Sequence, residues 1–534
     1  MIKLAGTKVI SKFILRRDRI SILIWIGSFA LLTAYVALMF PTLYPTDIKV
    51  KEIVETLSNP AMIAMLGPYY GATDYVNYGA VYAAEMLILV ALTVATMNIL
   101  LVTRHTRNDE EEGRLEVIRS LPVGKTTVLF STLSVYVIVN TLIGLFVGVV
   151  LILTGDTSFG WNGSLLYGAG LTVTGIYFAA VTGLFAQLNQ TSRGTSGYAF
   201  GFLGIMYLLR AIGDINSETL SLISPLGLIT RTKPYVSNSW WPILIVLIEA
   251  IIIAYIAIRL NVIRDLNASF IPVKPGRKSA SKLLVSPLGL AFRNQKSAII
   301  AWAIGVMVLG ISYGSVLGDI ETFISGNEMY EKMLSVIGGT ASFLERFMVM
   351  LSAVIAMVGA IPVIQMIIKL RYEEKHNHIE HLLGRAVSRR QLIMNYVTLA
   401  VIISIIMSLS GTLGLYMAGA QVTESPLVFG DMMIASFAYL PAIWVFVALT
   451  VMLLGFIPSA IKLIWLYLGF TFVSVYLGGI LGLPDWVVKL TPFGYVQKIP
   501  VESYNVVSSI VLVIISVVLI YVGNAKYRTR DLAG

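Results

Sequence analysis

Residues 240–260 read WWPILIVLIEAIIIAYIAIRL, an apolar run interrupted by one acid, Glu249. A helix of about 20 apolar residues crosses the hydrocarbon core of a bilayer, which is about 30 Å thick. Tryptophan and arginine side chains anchor at the edges of that core, and Trp240, Trp241 and Arg259 stand at the two ends of the run. The stretch therefore predicts a transmembrane helix with Glu249 near mid-bilayer.

The composition of the whole chain extends this prediction. Of the 534 residues, 57% are hydrophobic and only 13% are charged. Inside lipid, helices and closed β-barrels alone satisfy every backbone hydrogen-bonding group, and apolar runs of this length favour helices. We therefore predict an all-α polytopic membrane protein. The chain has no cysteine, which excludes disulfides, thiol catalysis and zinc–thiolate sites.

Long apolar runs recur along the chain and predict about twelve transmembrane helices in two sets of six. The first set lies near residues 20–40, 82–103, 127–154, 165–187, 196–213 and 240–259. The second set lies near residues 297–316, 348–369, 392–419, 433–457, 460–482 and 505–523. The predicted organisation is a six-helix half at 1–262, a basic linker at 263–296 and a second six-helix half at 297–534.

The distribution of lysine and arginine predicts the orientation of the chain. Basic residues gather before the first span, after the second and eighth spans, in the linker and at the C-terminus, whereas acids are frequent in the alternate loops. Because lysine and arginine are enriched in cytoplasmic loops, we expect both termini to be cytoplasmic. The net charge of +10 then faces anionic membrane lipids, and we expect no binding of nucleic acid.

The N-terminal residues MIKLAGTKVISKFILRRDR alternate apolar with basic side chains. This pattern predicts an amphipathic helix that lies on the cytoplasmic membrane surface. The alternative is a disordered basic tail, because Gly6 weakens a helix.

The two halves carry an internal repeat. The segment that begins at Arg107 aligns with the one that begins at Arg371, so that Glu116 matches Glu380 at an offset of 380 − 116 = 264. The motif SPLGL at 224 likewise resembles TPFGY at 491. Six spans per half give both copies the same orientation, which predicts a pseudo-twofold axis along the membrane normal.

The first copy of the repeat contains EEEGRLEVIRSLPVGKTT, residues 110–127, which is not a phosphate-binding loop despite its Gly-Lys-Thr ending. Such a loop needs G-x-x-x-x-G-K-[ST], and the first glycine position is occupied by Arg119. The segment instead predicts an amphipathic cytoplasmic helix near 108–122, with Leu115, Ile118 and Leu121 on one face.

The second copy predicts a similar helix near 372–386, with Ile379, Leu382 and Leu383 as its apolar face. One interpretation of both helices is a solvated charged loop that only sets topology. Topology, however, is set by lysine and arginine. It does not require an apolar face at equivalent positions of the two halves. We therefore favour docking of both helices onto a cytoplasmic partner, as in helix-in-groove recognition.

The pattern E-x-G-x-L-E-x-[LIV]-x-S-x-P-V-x-[KR], here Glu111 to Lys125, resembles the coupling helix of ABC-2-type exporter permeases. The duplicated twelve-span layout resembles their fused subfamily named for exporters of polyketide antibiotics. The resemblance implies a bacterial cell-membrane permease that exports hydrophobic small molecules or peptides. It also implies two copies of a separate cytoplasmic ABC ATPase, which bind ATP and Mg²⁺, whereas this chain binds no cofactor.

The resemblance carries over to individual residues as an expected ATPase-docking set. In the first copy the set is Glu112, Gly113, Leu115, Glu116, Ile118, Arg119 and Pro122, and in the second it is Glu374, Ile379, Glu380 and Leu382. The second copy departs from the pattern, because Asn377 replaces the glycine and Ala386 replaces the proline.

Polar residues inside predicted spans are candidates for a transport pathway. Glu249 is the strongest, because an ionisable group at mid-bilayer is costly unless it faces protein or water. Asn98, Asn140 and Gln365 are weaker candidates of the same kind. The alternative for each is a buried hydrogen bond between helices.

Three other functions are weighed against this prediction. A proton-coupled twelve-helix drug antiporter is the main rival, but the loop after the second span lacks its G-x-L-x-D-R-x-G-R-[KR] motif. A membrane enzyme has no supporting group of acids and histidines. A metal site at His376, His378 and His381 fits neither H-E-x-x-H nor H-x-x-E-H, so we expect no bound metal.

Overall fold

The structure is a computed structural model that describes part of the chain in detail. The described residues are 4–71, 77–271, 279–281, 284, 286–319, 342–384, 387–423, 427–478, 483–502, 504 and 506–531. They form α-helices joined by turns and short 3₁₀ segments, and they contain no β-strand. The chain divides into two compact units, Met1–Pro275 and Gly276–Gly534.

Unit 1 begins with three helices before its second long span and ends with a long apolar helix. Its α-helices are α1 Thr7–Leu43, α2 Asp47–Leu57, α3 Pro60–Leu66, α4 Tyr78–Thr103, α5 Asp109–Glu111, α6 Arg114–Arg119, α7 Thr127–Leu153, α8 Trp161–Leu188, α9 Ser192–Asn216, α10 Glu218–Leu222, α11 Pro225–Thr230 and α12 Trp241–Ile263. One π-helical turn, Arg104–Asn108, joins α4 to α5.

Unit 2 is also built from α-helices. Its α-helices are α13 Pro287–Gly314, α14 Phe343–Lys375, α15 Glu380–Leu383, α16 Arg389–Val422, α17 Phe429–Phe437, α18 Leu440–Phe456, α19 Leu463–Tyr476, α20 Asp485–Val488 and α21 Val506–Thr529. Three 3₁₀ segments lie at Leu317–Asp319, Pro458–Ala460 and Pro492–Tyr495.

The all-α membrane fold predicted from the sequence is confirmed. Eleven helices within the described residues are long and apolar enough to cross a membrane. The remaining predicted span, near 460–482, is represented by α19, a shorter apolar helix of 14 residues. At 1.5 Å per residue, α19 is about 21 Å long, which is less than the hydrocarbon thickness.

The first helix differs from its prediction. Residues 7–19 do not form a separate surface helix, because α1 continues without a break for 37 residues and is about 55 Å long. Gly6, with a φ of 84°, stands just before its first turn. Ile10 and Ile14 are buried in the core of unit 1, which explains why the N-terminal turns stay aligned with the rest of the helix.

The linker is shorter than predicted. Helix α12 ends at Ile263, as expected, but α13 begins at Pro287 and not at residue 297. The Ser286 hydroxyl accepts a hydrogen bond from the backbone N–H of Gly289 and caps the helix there. Residues 272–278, 282, 283 and 285 of the predicted linker lie outside the described residues.

Close backbone approach holds the long helices together within each unit. A Cβ atom on Gly144 of α7 would lie 2.2 Å from the carbonyl oxygen of Gly168 on α8. In unit 2, a Cβ atom on Gly414 of α16 would lie 2.1 Å from the carbonyl oxygen of Met307 on α13. Small residues at such crossings allow the van der Waals contact that replaces the hydrophobic effect in lipid.

The SPLGL and TPFGY segments both form short helical segments. Ser224 and Thr491 each cap a short helical segment that begins with a proline, Pro225 and Pro492 respectively. The repeat deduced from sequence therefore corresponds to the same local structure in both units.

Candidate functional site

The first charged segment is folded differently from the three-turn helix predicted near 108–122. Helix α5 ends at Glu111, and Gly113 then adopts a left-handed conformation with a φ of 72°. Only Gly adopts this conformation without strain from a Cβ atom. The chain turns there and continues as α6, which has only 6 residues.

The apolar face of α6 packs on its own unit. Leu115 is only 5% exposed, and Ile118 is partly buried in the core of unit 1. The prediction that Leu121 shares this face is wrong, because α6 ends at Arg119 and Leu121 is 58% exposed. Val117, which the sequence analysis overlooked, is 69% exposed. The exposed apolar surface is thus formed by Val117 and Leu121.

The charged docking candidates of the first copy have different environments. Glu112 and Glu116 are exposed, and the side-chain amide of Asn267 donates to Glu116 Oε1 at 3.0 Å. Pro122 is also exposed. Arg119 is partly buried, and burial lowers the pKa of its guanidinium, an effect that the nearby Glu110 carboxylate partly offsets.

A buried ion triad fixes this segment to the end of α12. Glu110 Oε2 lies 2.8 Å from Arg107 and 2.7 Å from Arg264, and all three residues are at least 94% buried. The backbone N–H of Asn267 donates to Glu110 Oε1 at 2.7 Å. Arg107 also donates to the carbonyl oxygen of Asn189 at 2.6 Å. No motif or periodicity in the sequence predicts this triad.

A second acid–base group connects the same segment to α1. Asp109 accepts a bidentate interaction from Arg17, with distances of 2.6 and 3.0 Å. Asp18 is 1% exposed and contacts His105, while Tyr136 of α7 donates to it at 2.9 Å. The residues before Gly113 are therefore held from three sides, by α1, α7 and α12.

The second charged segment repeats this architecture. Helix α14 ends at Lys375, and Asn377 takes the left-handed conformation with a φ of 59°. Asparagine adopts this conformation more readily than other residues with a side chain. Asn377 departs from the glycine of the motif, but it preserves the left-handed turn. Helix α15 follows and has 4 residues.

The side chains after Asn377 correspond to those of α6. Ile379, which matches Leu115, is 3% exposed, whereas Glu380, which matches Glu116, is exposed. Leu382 is partly buried, like Ile118. Residues 385 and 386 of the predicted second helix, including Ala386, lie outside the described residues.

Unit 2 contains its own copy of the ion triad. Glu374 contacts Arg371 at 3.1 Å and Arg530 at 2.7 Å. The offsets from unit 1 are 371 − 107 = 264, 374 − 110 = 264 and 530 − 264 = 266. Glu374, a predicted docking residue, is only 5% exposed, and its carboxylate therefore anchors the segment instead of facing a partner.

The histidines of the second segment interact with neighbouring protein groups. His378 Nδ1 lies 2.7 Å from Glu373 Oε2, and His376 Nδ1 lies 2.8 Å from the carbonyl oxygen of Tyr372. Within the described ranges, no three histidine or carboxylate residues are grouped so that they could hold a metal ion.

Two of the pathway candidates form a hydrogen-bonded pair. Asn98 of α4 and Asn140 of α7 exchange two amide hydrogen bonds of 2.9 and 2.8 Å, and both side chains are fully buried. Each also donates to a carbonyl oxygen one turn earlier in its own helix. The pair therefore joins two helices, which is the alternative that the sequence left open.

The other pathway candidates are more accessible. Glu249 on α12 and Gln365 on α14 are both partly exposed. Glu85 of α4 is a further membrane acid that is not among the predicted pathway residues, and it accepts a hydrogen bond of 3.1 Å from Tyr44. Its position within an apolar run was the signal that could have identified it.

Comparison with known proteins identifies the family. A family model described as "Multidrug efflux system permease Rv1217c, C-terminal domain" matches residues 11–259 and 284–528. The multidrug efflux system permease protein Rv1217c of Mycobacterium tuberculosis is 32% identical over 536 aligned positions, which cover 98% of this chain and 95% of that protein. The chain belongs to the Rv1217c family of multidrug efflux permeases.

Membership of this family confirms several predictions. The permease is a multi-pass protein of the bacterial cell membrane, and it is a transport subunit rather than an enzyme. The two charged segments of the permease, each with a left-handed turn and an ion triad around a buried glutamate, are its candidate functional sites.

Proposed function

We propose that the permease is the membrane subunit of an ATP-driven ABC-2-type exporter of hydrophobic or amphiphilic drugs. It works with two copies of a separate cytoplasmic ABC ATPase, which bind ATP and Mg²⁺. Its relative is named a permease of a multidrug efflux system, and a system has more than one component. The resemblance of residues 111–125 to a coupling helix supports the assignment of an ATPase as the other component.

The repeated architecture of the two charged segments carries this proposal. In each unit a long apolar helix ends beside an Arg–Glu–Arg triad with a buried glutamate, turns at a left-handed residue and presents a short helix. Buried ion pairs are costly to form and are poor contributors to stability alone. Buried ion pairs do fix the position of the charged segment. A segment held in this way suits a surface that must transmit a movement from a bound partner to the transmembrane helices.

The exposed surface of the first segment suits a partner groove. Val117 and Leu121 are exposed apolar side chains of this segment, and the carboxylates of Glu112 and Glu116 are exposed close to them in the sequence. A central apolar contact with a charged rim is the usual arrangement of a protein interface. We define these four residues as the docking surface.

The docking surface can be tested by purification of the full-length permease with its ATPase from the native host. Val117→Asp combined with Leu121→Asp should prevent copurification of a soluble ATPase, because the contact would then bury two unpaired charges. Glu116→Lys should weaken it as well. Drug export should fall in parallel, while the amount of folded permease in the membrane stays the same.

A matched control is Val236→Asp, which also places a charge at an exposed valine, 40% exposed in the loop before α12. This variant should retain the ATPase. If all the variants retain the ATPase and export normally, the docking role is wrong. If the permease purifies alone and a proton gradient drives its transport in proteoliposomes, the rival antiporter function replaces this proposal.

Among the pathway candidates, the partly exposed Glu249 and Gln365 remain proposed pathway residues. Asn98 and Asn140 are less suitable, since every polar atom of their amides has a protein partner.

A further inference from the structure

Unit 2 contains a cavity of about 350 Å³ between the ends of α14, α18 and α19. This volume lies within the range of sites that bind drug-sized molecules, about 300–1,000 Å³. Its apolar wall includes Val349, Met350, Ala353, Val475 and Phe493.

The cavity lies beside the last residues of α19, a helix of 14 residues. In unit 1 the equivalent helix, α9, has 25 residues, and its last turns carry Arg210 and Asp214. Both side chains are fully buried, and the Ser221 hydroxyl donates to Asp214 at 2.6 Å. Arg210 also donates to the carbonyl oxygen of Met65 at 3.1 Å. Arg210 therefore joins α9 to α3, and Asp214 joins α9 to α10.

The sequence of unit 2 does not repeat this buried polar pair. Pro225 and Pro492 define an offset of 492 − 225 = 267, which places Leu477 at the position of Arg210 because 477 − 210 = 267. Helix α19 has already ended at Tyr476. The sequence of unit 2 therefore has a leucine at the position of the arginine that joins α9 to α3 in unit 1.

The chemistry of the cavity wall suits an aromatic amphiphile. The rings of Tyr439 and Phe493 are 5.7 Å apart at its apolar end, and aromatic rings stack on flat ligands. Around them lie four charged residues with balanced signs, namely Asp485, Lys489, Lys498 and Glu502. A balanced rim favours a neutral or zwitterionic molecule over a strongly charged one.

One polar atom of the wall lacks a protein partner. Gln497 Oε1 is buried and accepts no hydrogen bond from the residues that the structure describes. An unsatisfied buried acceptor is costly, and a ligand that donates a hydrogen bond would remove that cost. The cavity thus combines an aromatic wall with a defined hydrogen-bond acceptor.

The cavity lies far from the second charged segment. Met350 in its wall and Glu374 in the ion triad are both on α14, separated by 374 − 350 = 24 residues. At 1.5 Å per residue this separation is about 36 Å, more than the thickness of the hydrocarbon core. If the charged segment contacts a cytoplasmic ATPase, the cavity is at the opposite, external end of unit 2.

We propose that this cavity is an exit-side binding site for a neutral or zwitterionic aromatic amphiphile that donates a hydrogen bond to Gln497. The exit-side assignment rests on the proposed function, whereas the binding itself requires neither the ATPase nor ATP. The site holds cargo at the external end of the permease before release.

The absence of cysteine from the chain allows a direct test. Val475→Cys places one thiol in the cavity wall, and Val473→Cys places one two residues away on the same helix, at a position that is 40% exposed. The full-length variants are placed in lipid nanodiscs and treated with methyl methanethiosulfonate. Mass spectrometry then measures the rate of thiol modification with and without the neutral aromatic amine N-phenyl-1-naphthylamine.

The probe should protect only the cavity thiol. At about ten times its Kd, the probe occupies about nine-tenths of the sites, so modification of Val475→Cys should slow about tenfold. The rate for Val473→Cys should not change. Equal slowing of both thiols would assign the effect to probe dissolved in lipid, and no slowing of Val475→Cys would show that the cavity does not bind the probe. Either result overturns the proposal.

Two further variants examine the cavity wall. Ala353→Phe should fill the cavity and abolish protection of the Val475→Cys thiol, and Gln497→Leu should weaken protection by removing the acceptor. If Ala353→Phe prevents folding, the comparison of the two single-cysteine variants remains decisive. If the probe protects the Val475→Cys thiol but no ATPase copurifies with the permease, the cavity is still a binding site. Only its exit-side role is then rejected.

Discussion

Glu110 and Glu111 are neighbours in the sequence but have opposite environments. Glu110 is 4% exposed and lies between Arg107 and Arg264, whereas Glu111 is exposed. Both residues are glutamates in a run of consecutive acids, so composition does not show which of them is buried. The difference arises from the helical turn that directs Glu110 toward the end of α12.

This contrast yields a prediction for single residues. Glu110→Gln should lower the free energy of unfolding by about 3 kcal/mol, because removal of one partner leaves two buried arginines uncompensated. Glu111→Gln, the matched control, should change it by less than about 0.5 kcal/mol. Unfolding of the purified permease in increasing dodecyl sulfate measures both values. Equal stability of the two variants would show that the triad is not an anchor.

The left-handed turn is the other decisive feature at this scale. Gly113 and Asn377 have different side chains but φ angles of 72° and 59°. The two copies therefore share a backbone conformation at this position, although their side chains differ.

At the scale of helices, α4, α7 and α8 meet at one polar point. The Asn98–Asn140 pair lies against Gly175 of α8, where a Cβ atom would be 2.0 Å from Asn140 Oδ1. The glycine allows α8 to approach the pair closely, so the three helices share a single contact that apolar periodicity does not predict.

The contact at Gly175 can be tested with a pair of glycine substitutions. Gly175→Ala should destabilise the permease by about 1–3 kcal/mol, because the added methyl group overlaps a fixed amide. Gly201→Ala on α9, where a Cβ atom would meet nothing within 4 Å, should be neutral or stabilising by up to about 1 kcal/mol. Thermal unfolding of the two variants provides the comparison. Similar melting temperatures would argue against tight packing of α8 on the pair.

At the scale of the whole molecule, the predicted orientation can be tested with single cysteines. Ser120 and Ser237 are both exposed, and three long spans, α7, α8 and α9, separate them in the sequence. In intact cells, a membrane-impermeant maleimide should modify Ser237→Cys and leave Ser120→Cys unmodified until the cells are lysed. The reverse pattern would place the charged segments outside the cell and exclude a cytoplasmic ATPase as their partner.

Much of the molecule follows from the sequence alone. Apolar length predicted the spans, because lipid offers no partner for a backbone N–H or carbonyl group and forces long runs into helices. The alignment of Glu116 with Glu380 correctly predicted that two segments share one architecture. The resemblance of SPLGL to TPFGY likewise marked two short helical segments that each begin with a proline.

Other features depended on contacts between residues distant in sequence. Whether Leu115 faces a partner or its own core depends on where α6 ends and on what lies beneath it. The pairing of Glu110 with Arg264 and of Glu374 with Arg530 spans more than 150 residues in each unit. Local periodicity reports which faces of a helix are apolar, but the partner of a charge is set by tertiary packing, since electrostatic pairing depends on distance in space. The sequence alone therefore determined the membrane fold and its repeat, and the tertiary structure decided which charged residues anchor each segment and which remain exposed.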